Sequence, residues 1–186
     1  MIIEFLAPGF EEVEALAPLD ILRRAGLDIR TVAVTDDLTK NVNGAHNIPV
    51  TADLTADEAA ALAKTVPVDM VILPGGMPGA ANLDKSETVQ FFLDRAVADG
   101  AYLGAICAAP MILGKRGLLK DRRATCFPGF EQYLDGAVVT GGRVEADGKF
   151  VTARGMGVAV EFGLTLTAIL KGETAADAIA SATFAK

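Results

Sequence analysis

Histidine occurs once in these 186 residues, cysteine twice and tryptophan not at all. No Cys/His cluster has metal-ligand spacing, so neither zinc nor another metal has support. Two cysteines in different contexts do not make a disulfide framework, and a reducing, cytoplasmic compartment is expected. Positive charge is scarce as well: 17 Lys and Arg against 24 Asp and Glu leave a net charge of -7. That excludes the basic footprint that nucleic acid or an anionic membrane would need. No apolar run reaches the ~18 residues that span a bilayer. The opening MIIEFLAPGFEE has no basic segment and is interrupted by Glu4 and Pro8, unlike a signal peptide. A G-x-G-x-x-G after a strand and a P-loop are both missing, so nucleotide cofactors have no support and none of any kind is expected.

What is present is a chain of one-domain length, 51% hydrophobic, with 19 glycines. Short apolar runs alternate with amphipathic ones. Strands are expected at Ile2 to Leu6, Leu27 to Val34, Val68 to Leu73, Tyr102 to Ile106, Arg123 to Phe127 and Val138 to Thr140. Hairpins are signalled by Asn43-Gly44 and Asp147-Gly148. Helices are expected over Glu11 to Ala25, from Thr55, and over Ser86 to Ala98, Ala108 to Lys115, Val158 to Lys171 and Thr174 to Ala182. Such alternation implies right-handed crossovers and a mostly parallel sheet covered on both faces. The expected fold is therefore α/β, a flavodoxin-like three-layer αβα sandwich, read as a single domain over residues 1–186. Its functional crevice would lie beyond the carboxyl ends of the strands.

Three segments end at that edge: the loop at Pro8 to Glu14, Pro74-Gly75-Gly76, and Ala105-Ile106-Cys107-Ala108-Ala109. A residue on a tight strand-to-helix turn needs small neighbours two positions to either side, and Ala105 and Ala109 supply them. Such a turn also brings the sulfur near the first backbone N–H groups of a helix, which lower a thiol pKa. Yet cysteine is among the residues most often buried, and on this stretch alone the two readings stand equal. The usual activating partner is histidine. The single one, His46, falls in the hairpin region and reads as a surface residue. Acids after the first strand are better candidates, with Glu14 turned inward and Glu11 and Glu12 complementing the helix dipole. Gly75 and Gly76 offer unhindered backbone donors for an oxyanion.

Six stretches together resemble the ThiJ/PfpI family, and within it the parkinsonism-associated deglycase clade. They are LAPGFEEVEA at 6–15, LRRAG at 22–26, VILPGG at 71–76, AICAAP at 105–110, FPGFE at 127–131 and TARGMG at 152–157. The resemblance implies that Cys107 is an easily oxidised nucleophile and that Glu14, the last acid of E-E-x-E, approaches its sulfur. It implies backbone donors at Gly75, Gly76 and Ala108, and a homodimer with Arg24 near the contact. A carboxylate beside a thiolate is unfavourable, so Glu14 is expected to keep its proton and donate it to the sulfur. The chain departs from the family where some members carry a histidine near the nucleophile, for Phe127 stands there with Cys126 before it. The protease-like branch has histidine directly after the cysteine, where this chain has Ala108, so peptidase activity is disfavoured.

By resemblance, the activity would be conversion of small 2-oxoaldehydes such as methylglyoxal to 2-hydroxy acids, without cofactor or glutathione. A second reading is a redox-responsive stress or chaperone protein acting through oxidation of Cys107, with Cys126 read as a strand-end residue or a resolving thiol.

Overall fold

The computed structural model describes residues 1–36 and 38–185. Strand β1 (Ile2–Leu6) leads into helix α1 (Glu12–Arg24) and strand β2 (Ile29–Ala33). A small hairpin follows, β3 (Asn41–Asn43) and β4 (Pro49–Thr51), then β5 (Leu54–Thr55) and α2 (Ala56–Leu62). Strand β6 (Met70–Leu73) precedes α3 (Gly79–Lys85) and α4 (Glu87–Asp99); β7 (Tyr102–Ile106) precedes α5 (Pro110–Lys115). The remaining elements are β8 (Arg123–Ala124), β9 (Val138–Val139), β10 (Val144–Asp147), β11 (Phe150–Ala153), α6 (Ala159–Lys171) and α7 (Glu173–Ala182).

Seven strands form the main sheet in the order β10-β11-β7-β6-β1-β2-β5, parallel throughout except for the antiparallel edge strand β10. The alternation of side chains along each strand sorts the core into two layers. Ile3, Phe5, Val71, Leu73 and Leu103 pack with α4 residues Phe92 and Leu93 on one face. Ile2, Met70, Ile72 and Val151 pack with Leu19 and Leu22 of α1 and Phe162 and Leu166 of α6 on the other. This is the three-layer α/β architecture, and α1 and α6 meet closely. A Cβ on Gly163 would stand 2.9 Å from the Cα of Pro18.

The order places the chain's reversal of direction between β6 and β1, so the loops leaving β1, β6 and β7 open into one crevice. Some boundaries differ from the sequence reading. Helix α3 follows the Pro-Gly-Gly loop where no helix was expected, since its small residues, GAANLDK, carry little amphipathic signal. The helix expected from Ala108 begins at Pro110, because Cys107 to Ala109 are spent on the turn itself. The expected strand Arg123 to Phe127 pairs only over Arg123–Ala124, since Thr125 and Phe127 bond to Thr152 and Cys107 instead.

One residue breaks the apolar pattern of the central strand. Glu4 is fully buried on the face covered by α1 and α6, opposite Thr31 of β2, and neither carboxyl oxygen has a hydrogen-bond partner. Burial drives its pKa well above the ordinary carboxylate value, with Arg23 opposing weakly.

Candidate active site

Cys107 sits between β7 and α5 with φ of 64°, a left-handed conformation that is rare for a residue with a side chain. Two main-chain bonds hold it there. Its N–H donates to the Ala153 carbonyl at the end of β11, and its own carbonyl accepts the Phe127 N–H, both at 2.8 Å. The strained turn aims a half-buried thiol into the crevice.

Glu14 arrives from α1, and its carboxyl is buried with Oε2 unpartnered. The loop after β6 closes the gap between the two. At Gly75 a Cβ would lie 2.4 Å from Glu14 Oε2 and 2.6 Å from Cys107 Cβ, so only glycine leaves both groups in place. Gly76, with φ of 83°, turns its N–H toward the sulfur, and Ala108 does the same from the elbow. Cys107, Glu14, Gly75, Gly76 and Ala108 therefore converge. The Met156 N–H, on the segment after β11, also faces the Glu14 carboxyl. The TARGMG stretch carries that donor, but a backbone N–H has no residue-type signature by which sequence could reveal it.

Electrostatics couple the pair. Burial raises Glu14 to about 7, a rise that the Cys107 thiol beside it opposes and the neighbouring Glu11 charge adds to. Burial, then the charge of Glu14, push the Cys107 thiol up to about 12, against the pull of the Gly76 and Ala108 N–H groups. The expectation of a thiol lowered by helix N–H groups is thus corrected for the state with Glu14 ionised. The physical reason is that α5 starts three residues later and that burial outweighs two N–H dipoles. With a proton on Glu14, its charge disappears and its bond to the sulfur favours the thiolate. The pair gives up its first proton near neutrality.

The other sequence candidates are arranged around this centre. Phe127 is half exposed and flanks the opening, 3.4 Å from the Cβ position of Gly155, which is itself 3.9 Å from Glu14 Oε1. Cys126 is buried just before it. Arg24 stands ten residues beyond Glu14, about 15 Å along α1. It pairs with Asp20 at 2.6 Å and lines a groove of about 1180 Å³ formed with α6 and α7, away from Cys107.

His46 is exposed, and its ring pairs with Glu12 at 2.8 Å, not with Cys107. Glu12 and Glu11 do more than complement the dipole. Glu12 is buried and accepts the His46 N–H at 2.7 Å, which holds the 44–48 loop on α1. Glu11 accepts the Glu14 N–H at 2.7 Å as the N-cap of α1. Glu11, Glu12 and His46 bring ligand atoms within 4.8 Å of one another, but at a helix N-terminus, whose dipole opposes a cation.

A doubly wound parallel sheet that presents a cysteine on a left-handed turn, opposite a buried carboxyl, defines a flavodoxin-like α/β protein with a cysteine at its strand-to-helix elbow. The chain belongs to the DJ-1/PfpI family, whose sequence pattern matches residues 2–169. It is similar to Protein DJ-1 homolog A of Arabidopsis thaliana, 35% identical over 95% of this chain and 44% of that protein. It is 32% identical to the Glutathione-independent glyoxalase DJR-1.2 of Caenorhabditis elegans, over 87% of this chain and 83% of that one. Oxidized Toxoplasma gondii DJ-1 superposes with a TM-score of 0.90 at 32% identity, covering 98% of this chain and 97% of that one. The chain spans less than half the length of the plant relatives it matches.

Proposed function

We propose that the protein converts small 2-oxoaldehydes such as methylglyoxal to 2-hydroxy acids without glutathione or another cofactor. The observation that carries this reading is the buried, unpartnered Oε2 of Glu14 beside the elbow cysteine: an acid poised to hold and move one proton. The Cys107 thiolate adds to the aldehyde carbon, and the resulting oxyanion takes a proton to give a hemithioacetal. Glu14 as carboxylate then removes the proton from C1 and returns it to C2, while the hydroxyl proton passes from the C1 oxygen to the C2 oxygen, leaving the thioester of a 2-hydroxy acid. Water hydrolyses the thioester, releasing the acid and Cys107. The sum is aldehyde plus water to hydroxy acid, with no net oxidation. The similarity to a worm protein named as a glutathione-independent glyoxalase supports the substrate class. Purified, reduced protein should consume methylglyoxal and yield lactate without glutathione; no consumption would end this reading.

A second reading is favoured by the half-exposed sulfur and its two N–H donors, which suit a sulfinate oxygen as well as a thiolate. In it, oxidation of Cys107 is a signal read by a partner. We also propose a homodimer through the groove face of α1 and α6, which Arg24 and the exposed Val160 line. Sedimentation equilibrium checks it. The cytoplasm is the compartment proposed for either role; among the described residues no helix is long and apolar enough to cross a membrane.

A further inference from the structure

The proton shuttle leaves Glu11 idle, although this residue ties the site together. Glu11 has extended backbone at the N-cap of α1, with φ of -83° and ψ of 122°, and its Oε2 accepts the Glu14 N–H at 2.7 Å. Its own N–H donates to the Gly75 carbonyl at 3.0 Å. Gly76 passes so close that a Cβ there would lie 2.4 Å from the Glu11 nitrogen. One residue thus fixes the first turn of α1 to the loop whose N–H groups address the sulfur.

Glutamate is a costly choice for that task. Caps are normally Ser, Thr, Asn or Asp, and a longer side chain loses more rotamer freedom when held. A serine would cap the turn without charge. Glutamate adds a carboxylate next to the very carboxyl that has to retain a proton, and like charges favour the neutral form of a neighbour.

We propose that Glu11 is a positioning residue that keeps the proton on Glu14, through the charge it carries at the N-cap and the hydrogen bond that fixes the Glu14 backbone. This rests on the reading of Glu14 as the proton-bearing partner of Cys107. The groups around Glu14 leave Glu11 as its nearest charge. Cys107 faces it from the elbow, and Gly75 and Met156 offer only N–H groups. Glu12 turns away to His46 on the 44–48 loop, and Arg154 beyond β11 acts on Cys126. The His46 ring comes within 4.8 Å of the Glu11 carboxyl and, when protonated, offsets part of its charge.

The test is the pH profile of Cys107 alkylation by iodoacetamide, measured in a Cys126→Ser background. Reactivity rises with the first deprotonation of the Glu14–Cys107 pair. Glu11→Gln keeps an acceptor for the Glu14 N–H and removes the charge, so the midpoint should move toward acid by about half to one pH unit. Glu11→Ser, a second neutral cap, should give the same shift, whereas Glu11→Asp should stay near the unsubstituted protein. An unchanged midpoint in both neutral variants overturns the inference and leaves Glu11 a cap only. Methylglyoxal consumption is followed in parallel. A shifted midpoint with no consumption by any variant sustains the role of Glu11 and rejects the aldehyde reaction. Consumption with an unshifted midpoint does the reverse.

Discussion

Gly75 separates Glu14 from Cys107 by the width of one absent methyl group. Its Cβ position is 2.4 Å from the Glu14 carboxyl oxygen and 2.6 Å from the cysteine Cβ, both shorter than any relaxed contact. Gly75→Ala should therefore push the acid or the elbow aside. Misplacement on the 1 Å scale costs about 100-fold in rate. Methylglyoxal turnover should fall by about that factor while the far-ultraviolet circular dichroism is unchanged. Turnover within twofold of the parent would show that the pair tolerates separation and that the glycine is not needed for chemistry.

Removing the proton carrier should divide the two functional readings. Glu14→Gln cannot move a proton between carbons, so isomerisation should drop by at least about 100-fold, the scale of general acid–base catalysis. Its amide still donates to the sulfur, so mild peroxide should continue to add oxygen to Cys107, as read by intact mass. Near-normal turnover of this variant would remove Glu14 from the mechanism.

The depth to which sequence revealed this site varies with what each residue needed from its neighbours. Cys107, Gly75 and Gly76 were only half legible from their own stretches: Ala105 and Ala109 betray a crowded turn that suits a core residue equally well, and the resemblance over six stretches singled the three out. The parallel sheet was legible because strands such as Met70–Leu73 are apolar on both faces. Glu11 and Glu12 were not, since acids at a helix start look the same whether they face water, cap a turn or hold a distant loop. Only the fold reveals that residues 44–48 return to Glu12. Glu4 was equally opaque: an acid in a strand is read as an interruption until both faces prove to be covered.

Glu4 should make the protein less stable as the pH rises. Its folded pKa is raised by burial, so the folded state holds a proton that the unfolded chain releases at its ordinary value near 4.3. The associated stability is complete below that value and is lost as the pH climbs toward the folded pKa. Glu14 adds a loss of the same sign up to about pH 7. Glu4→Gln removes the first contribution. Its Tm should match the parent at pH 4 and exceed it at pH 8, with a flatter profile between. Parallel curves would mean that Glu4 reaches water or a partner in solution.

The Glu12–His46 pair should be asymmetric in its effect on stability. Glu12 is buried and bonds the His46 backbone and ring, whereas the imidazole itself is exposed. Glu12→Ala removes the charged acceptor of the His46 N–H and ring and should cost about 1–3 kcal/mol, with faster hydrogen exchange at 44–48. His46→Ala keeps the backbone bond and should cost far less. The ring's share follows its charge: Glu12 raises the His46 pKa, so the stabilisation is present below about pH 6.5 and fades as the pH passes the raised value. Equal losses in both variants would assign the loop's anchorage to the ring.

Cys126 is close to the elbow in the chain's path, yet it should remain a bystander. It is 4% exposed, and burial together with the charge of Glu131 pushes its thiol up to about 11, with Arg154 opposing. Thiolate and access are both required for attack, and Cys126 lacks both where Cys107 lacks only the first in part. Native protein treated with iodoacetamide should therefore take one adduct, mapped to Cys107, and a second only after denaturation. Under mild peroxide, Cys107 should gain two oxygens, each from one peroxide equivalent, because no neighbouring thiolate condenses with the sulfenic acid first. Loss of two hydrogens, the mark of a Cys107–Cys126 disulfide, would instead make Cys126 a resolving thiol. Cys126→Ser would then be the variant in which overoxidation first becomes visible.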